Sequence, residues 1–134
     1  MKVLDRAVEG TLEAEASALD RVRLFGGALA PLPGTEREAR VIAVLAGDAT
    51  LLVGEEATVR RLREQVESGS GPPRILHMAT HGLLGSAARA GDAALALTQP
   101  VEPSAEDLGF LTLEELTGRW LGRLAGCELV VLSA

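Results

Sequence analysis

The chain has 134 residues, of which 47% are hydrophobic, and a formal net charge of −6. This length suffices for one domain with a hydrophobic core, or for part of one. The acidic charge argues against nucleic acid or an anionic membrane as the main partner, because phosphate binding needs a basic patch. Aromatic residues make up only 2% of the chain, fewer than proteins that stack on bases usually contain.

Cysteine content and apolar patterning indicate a cytoplasmic protein. Cys127 is the single cysteine, so no internal disulfide can form. No apolar run approaches the roughly 18 residues of a membrane span. The N-terminal MKVLDRAVEG lacks the apolar core of a signal peptide. We therefore expect no membrane association.

The first predicted element follows an N-terminal segment of unclear structure. Residues 1–22 carry only a loose, alanine-rich helical pattern. Pro33 with the glycine after it predicts a turn, and Thr35 with Glu38 fits a capping box for the helix that follows. The apolar stripe of this helix ends at Gly47.

Strands and helices alternate over the rest of the chain. ATLLVG (49–54) predicts a strand, and TVRRLREQVES (58–68) predicts a helix with its arginines outward. RILHMA (74–79) predicts a second strand and LALT (95–98) a third. Within FLTLEEL (110–116), a threonine and a glutamate three residues later fit another capping box.

The final run, CELVVLSA (127–134), predicts a strand with an apolar centre. Strands that are apolar on both faces and alternate with helices imply an α/β fold, with a parallel sheet covered by helices on each side. No turn or helix follows the last strand, so we expect this chain to be one part of a larger domain.

The only two histidines, His77 and His81, stand four residues apart in RILHMATHGLLG. Met78 follows the first histidine, where the helical zinc-protease signature has a glutamate. In a strand, four residues span about 13 Å, at about 3.3 Å each. Two histidines so far apart cannot both ligate one zinc at about 2.0 Å. We expect neither a metal nor another cofactor.

The positions of the two histidines predict different roles. In a single strand His77, Ala79 and His81 share one face, and His77 is expected to pack there as a buried, neutral side chain with its nitrogens paired. His81 precedes Gly82 at a carboxyl end, the edge where parallel α/β sheets build their sites. A glycine there allows close approach and offers an N–H to an oxyanion. Spacing alone leaves packing and catalysis equally open for His81.

An ordered set of motifs resembles the CHAT domain, a caspase-like cysteine-protease domain that is often attached to TPR repeats. The motifs are ILHMATHG (75–82), FLTLEEL (110–116) and LVVLSA (129–134); LPGTEREA, LLVGEEAT and ALAL fit the same family. The resemblance covers residues 23–134. It implies a caspase-like three-layer α/β/α fold with a mainly parallel sheet, incomplete in this chain.

The resemblance also implies functional residues. His81 would be the catalytic base of a Cys-His dyad, and Gly82 would supply an oxyanion-hole N–H. The family's nucleophilic cysteine follows a strand of the form LVVLSA, so it would come directly after Ala134, and this chain is expected to be inactive alone. Cys127 stands seven residues earlier, roughly 23 Å away in a strand, and is predicted to be a small buried hydrophobe. Ser133 takes the substrate-pocket position where relatives that cut after Arg or Lys often carry an acid.

Two functions follow from these expectations. The first is a cysteine endopeptidase domain that acts on proteins or peptides, with the rest of the CHAT domain or a TPR-containing regulatory region as partner. The second is a catalytically inactive CHAT-like module that serves protein–protein interaction or regulation. A cysteine encoded directly after Ala134 would favour the first, and any other residue the second. A nucleotide-binding domain is disfavoured, since no GxGxxG or GxxxxGK loop follows a strand.

Overall fold

The computed structural model describes residues 29, 32–68, 70–84 and 93–133. Three helices, one 3-10 turn and five short strands make up the regular structure of this part. In chain order they are α1 (Pro33–Ala46), the 3-10 turn (Gly54–Glu56), α2 (Val59–Glu67), β1 (Ile75–Ala79), β2 (His81–Leu83), β3 (Ala94–Ala96), β4 (Phe110–Thr112), α3 (Leu113–Thr117) and β5 (Leu129–Ser133).

The strands form two sheets. In the parallel sheet, β1 pairs with β5 from Ile75 opposite Leu129 to Ala79 opposite Ser133. In the antiparallel sheet, β3 lies between β2 and β4. β1 and β5 are far apart in sequence and run in the same direction, so the chain crosses over between them, as expected of a parallel pair.

Helices pack on both faces of the parallel sheet. On one face, side chains of β1 and α2 share the main core cluster, whose buried members are Leu62, Val66, Leu76, Met78, Leu111 and Trp120. On the other face, His77 of β1 contacts Glu38 of α1. The predicted α/β class is therefore confirmed, with one helix on each side of the parallel sheet.

Two helices begin as their sequences predict. The side chain of Thr58 accepts a hydrogen bond from the backbone N–H of Arg61 at the start of α2. Thr112 accepts one from the N–H of Glu115 at the start of α3. Each threonine thereby pairs an amide that the first turn of a helix leaves without a partner. None of the helices in the described part is long and apolar enough to cross a membrane.

Helix α1 begins differently from the prediction. It begins at Pro33, and no side chain caps it; proline suits this first position because its missing N–H has no helical acceptor there. Thr35 Oγ1 donates instead to the carbonyl of Leu32 at 2.7 Å. The capping box of Thr35 and Glu38 is therefore wrong, and the Glu38 carboxylate contacts β1.

The predicted first strand is also wrong. Residues 49–53 have no regular structure, and Gly54 begins the 3-10 turn with a φ of +56°. This segment is held by Thr98, whose N–H donates to Ala57 O and whose hydroxyl donates to Gly54 O. An apolar run becomes a strand only where another strand pairs with it, and neither sheet pairs with this one.

A largely buried ion pair joins α2 to α3. Arg63 donates to the Glu115 carboxylate from Nε at 2.5 Å and from Nη2 at 2.8 Å, and Nη1 donates to Glu106 O at 2.6 Å. Only 14% of the Arg63 side chain and 11% of that of Glu115 are exposed. Two parallel hydrogen bonds in a place of low exposure make this pair geometrically specific.

We expect Arg63→Ala to lower the free energy of unfolding by about 3 kcal/mol, because it leaves the Glu115 carboxylate buried without a cation. Arg61→Ala is the matched control, because Arg61 also pairs with two glutamates, Glu56 and Glu64, but in solvent. It should lower the free energy of unfolding by much less. Urea denaturation followed by circular dichroism measures both, and equal losses would contradict the burial argument.

Candidate catalytic site around His81

The chain changes sheets immediately before His81. β1 ends at Ala79, and His81 is the first residue of β2. Thr80 lies between them: its N–H donates to Ser133 O at 2.9 Å and prolongs the β1–β5 ladder, while its hydroxyl donates to Ala96 O of β3. A single residue therefore joins the parallel sheet to the antiparallel one.

This junction corrects one expectation. The sequence predicts that His77 and His81 share a face of one strand, but the structure assigns them to β1 and β2, in different sheets. The physical reason is Thr80, whose backbone and side chain bond to different strands. No local pattern in RILHMATHGLLG distinguishes this bend from a continuous strand.

His81 and Gly82 lie beyond the carboxyl end of the parallel sheet. In β2, His81 is opposite Ala96 and Gly82 is opposite Leu95. The His81 residue is half-buried, and Gly82 is exposed. A half-buried histidine beside an exposed glycine is an arrangement in which a substrate backbone can approach closely.

Ser133 lies at the same edge. It is the last residue of β5, opposite Ala79, and it is half-buried. Its hydroxyl donates to Glu38 Oε2 at 3.4 Å. The structure therefore brings the predicted base and the predicted pocket residue to the same end of the β1–β5 pair; the role of Ser133 in a substrate pocket stays a prediction.

Glu38 is the residue of this region that sequence reasoning missed. Its Oε1 lies 2.9 Å from His77 Nε2, and only 16% of the His77 side chain is exposed. The two atoms are close, but they are not aligned as a hydrogen bond, and Nε2 is buried without another partner. The His77 side chain is mostly buried, as predicted, but the predicted pairing of its nitrogens is not found at Nε2, which makes no aligned hydrogen bond.

Cys127 lies at the other end of β5. Its Sγ is 3.3 Å from Leu129 O and 3.6 Å from Arg74 O, and its side chain packs against the main core cluster. The whole of β5 separates it from the edge where Ser133 and His81 lie. Cys127 is half-buried, and the position fits a packing residue rather than a partner of His81.

The charged groups with clear pKa shifts lie away from His81. Hydrogen bonding to Glu128 raises the pKa of Arg74 at the amino ends of β1 and β5. The Arg119 guanidinium, through its hydrogen bonds, holds the pKa of Glu67 below its usual value. Across the described ranges, no group of three or more His, Cys, Asp or Glu side chains is arranged to hold a metal ion.

A histidine and a glycine thus lie beyond the carboxyl end of a parallel pair that has a helix on each face. Comparison with family models identifies the class of protein: the model described as CHAT domain matches residues 7–134. The chain belongs to the CHAT domain family, which is a caspase-like peptidase family. No match was found among curated proteins or among solved structures.

Thr80→Val tests the junction before His81. The valine keeps the branched shape and removes only the hydroxyl, so the hydrogen bond to Ala96 O is lost. The free energy of unfolding should fall by about 1 kcal/mol. Because the chain has only two histidines, carbon–proton NMR of their rings should show the His81 signal shifted and the His77 signal nearly unchanged.

Thr98→Val is the control for this substitution. The Thr98 hydroxyl also donates to a backbone carbonyl, but to that of Gly54 in the 3-10 turn, so its loss leaves both hydrogen bonds of Thr80 in place. The control should leave the His81 signal in place. An unshifted His81 signal in Thr80→Val would show that the hydroxyl does not hold this histidine.

Proposed function

We propose that the chain is the histidine-bearing part of a caspase-like cysteine endopeptidase domain, with His81 as its catalytic base. Membership of the CHAT domain family supports the class of activity. The observation that carries the assignment to His81 is the register of the parallel strands, in which Ala79 is opposite Ser133.

The nucleophile of the proposed dyad would stand directly after Ala134. The N–H of Thr80 donates to Ser133 O, so the ladder extends past the last strand pair. After this bond the chain enters β2, so His81 lies just beyond the carboxyl ends of β1 and β5 rather than in their ladder. A cysteine that follows β5 by two residues would leave the sheet at the same edge, and we propose that its thiol comes within reach of the imidazole there.

The proposed reaction uses this juxtaposition. His81 takes the proton of the thiol, and the thiolate attacks the carbonyl carbon of the scissile peptide bond. The oxyanion accepts a hydrogen bond from the N–H of Gly82. The imidazolium then gives its proton to the leaving amine, the C–N bond breaks, and water hydrolyses the remaining thioester. A reducing compartment such as the cytoplasm suits this thiol chemistry.

The 134-residue chain is proposed to lack activity alone. Its single cysteine, Cys127, packs against the core cluster at the opposite end of β5. Ser133 is not acidic, so it does not supply the charge that selects Arg or Lys in relatives of this family. The partners implied are a protein or peptide substrate and the remainder of the CHAT domain or a TPR-containing region.

An inactive CHAT-like module is the second candidate. The observation in its favour is the outer face of α1, where Val44 and Leu45 are each 80% exposed. Apolar side chains on a helix that has no buried residue are more typical of a surface that contacts another protein than of a solvated helix. This function requires no nucleophile.

We expect no turnover when the purified 134-residue chain is incubated with a peptide library and the products are analysed by mass spectrometry. The chain extended through the residues encoded after Ala134 should cleave peptides if a cysteine comes first. In the extended chain, His81→Ala should lower kcat by at least about a hundredfold, the lower range for loss of a general base.

Cys127→Ser in the extended chain is the matched control and should retain activity, because Cys127 is far from His81. Turnover by the 134-residue chain would contradict the proposal, as would full activity of His81→Ala. A residue other than cysteine after Ala134 would leave the inactive module as the better function.

A further inference from the structure

We propose that Glu38 is a positioning residue, which holds β1 and β5 together at the edge where His81 and the nucleophile of the proposed function would meet. The inference rests on the proposed function for its catalytic meaning. Its structural basis is one carboxylate from α1 that contacts both strands of the parallel sheet.

The two oxygens of Glu38 contact different strands. Oε1 lies 2.9 Å from Nε2 of His77 in β1, and Oε2 accepts a hydrogen bond from the hydroxyl of Ser133 in β5 at 3.4 Å. His77 is two residues before Ala79, the register partner of Ser133. Both contacts are therefore made within the last three rungs of the β1–β5 ladder.

Apolar burial contributes little to the attachment of α1 to the sheet. The helix has no buried residue, and its charged pair, Glu36 with Arg40, lies in solvent. The Glu38 side chain, 38% exposed, lies on the inner side of the helix beside the mostly buried His77. Because apolar burial contributes little to this attachment, the two polar contacts of Glu38 carry a large share of it.

The contacts matter because a dyad depends on the separation of its two strands. A misplacement of about 1 Å between reacting groups can cost about a hundredfold in rate. Beyond the rung of Ala79 and Ser133, the ladder continues through the N–H of Thr80. If Glu38 releases β5, this terminal hydrogen bond is the first that we expect to open.

Amide hydrogen exchange of the 134-residue chain tests this expectation directly. Glu38→Ala should speed exchange of the Thr80 amide by about tenfold or more, while the amide of Val66 inside α2 changes by less than about twofold, as expected of a local opening. Glu38→Gln should restore slow exchange, since its amide oxygen can accept from Ser133 and its NH₂ can donate to His77.

Glu128→Ala is the matched control. Glu128 pairs with Arg74 across the same two strands, but at their amino ends and in solvent, so the Thr80 amide should keep its rate. If Glu38→Ala fails to fold, Glu38→Met keeps the length of the side chain and removes only its oxygens, and it takes the place of the alanine variant.

Three results would contradict the role of Glu38 as a positioning residue. An unchanged Thr80 amide would show that Glu38 does not hold this edge, and equal acceleration at Thr80 and Val66 would show a general loss of stability. Failure of Glu38→Gln to restore slow exchange would refute the two contacts. These measurements need no peptidase activity, so they succeed or fail independently of the cleavage test.

Kinetic measurements on the extended chain test whether Glu38 affects the proposed reaction. A positioning residue acts on the reaction rather than on substrate binding, so Glu38→Ala should lower kcat by about tenfold or more and leave KM within about twofold. An increase in KM with kcat unchanged would assign Glu38 to substrate binding and overturn the positioning role.

Discussion

The parallel pairing of β1 with β5 is the constraint on which the candidate site depends. These strands come from distant parts of the chain, and their register aligns Ala79 with Ser133. Everything proposed for the site follows from this alignment, because it determines which residues meet beyond the carboxyl ends of the strands. A shift of one residue would turn the side chains of β5 to the opposite face of the sheet and remove Ser133 from Glu38.

Two polar residues maintain the end of this pairing from different directions. Thr80 continues the ladder with its backbone and ties it to the antiparallel sheet with its hydroxyl. Glu38 approaches from α1 and contacts β1 and β5 together. The edge of a two-stranded ladder opens readily, and these contacts lie where a catalytic pair would need the least motion.

Local signals in the sequence predicted the elements whose structure depends on local interactions. Thr58 and Thr112 cap α2 and α3 because the capping hydrogen bond spans only three residues. The strands around residues 75–79 and 129–133 were predicted from their apolar runs. ATLLVG has an equally apolar run but forms no strand, because a strand requires a partner and the run does not contain that information.

The errors at α1 have the same origin. Thr35 and Glu38 have the spacing of a capping box, yet Glu38 contacts His77, a residue far along the chain. Likewise, the bend at Thr80 depends on bonds to β5 and β3, which are formed by residues 133 and 96. Sequence spacing describes neighbours along the chain, whereas these contacts depend on packing between elements.

The sequence by itself determined the α/β class and the family, because these depend on apolar patterns and ordered motifs, and it predicted His81 rather than His77 as the base from the glycine that follows His81. Only the tertiary structure decided that His77 and His81 lie in different sheets, that Ser133 lies opposite Ala79, and that Glu38 contacts both strands. The physical reason is that register and contacts between elements arise when separate segments pack together, and no single segment specifies them.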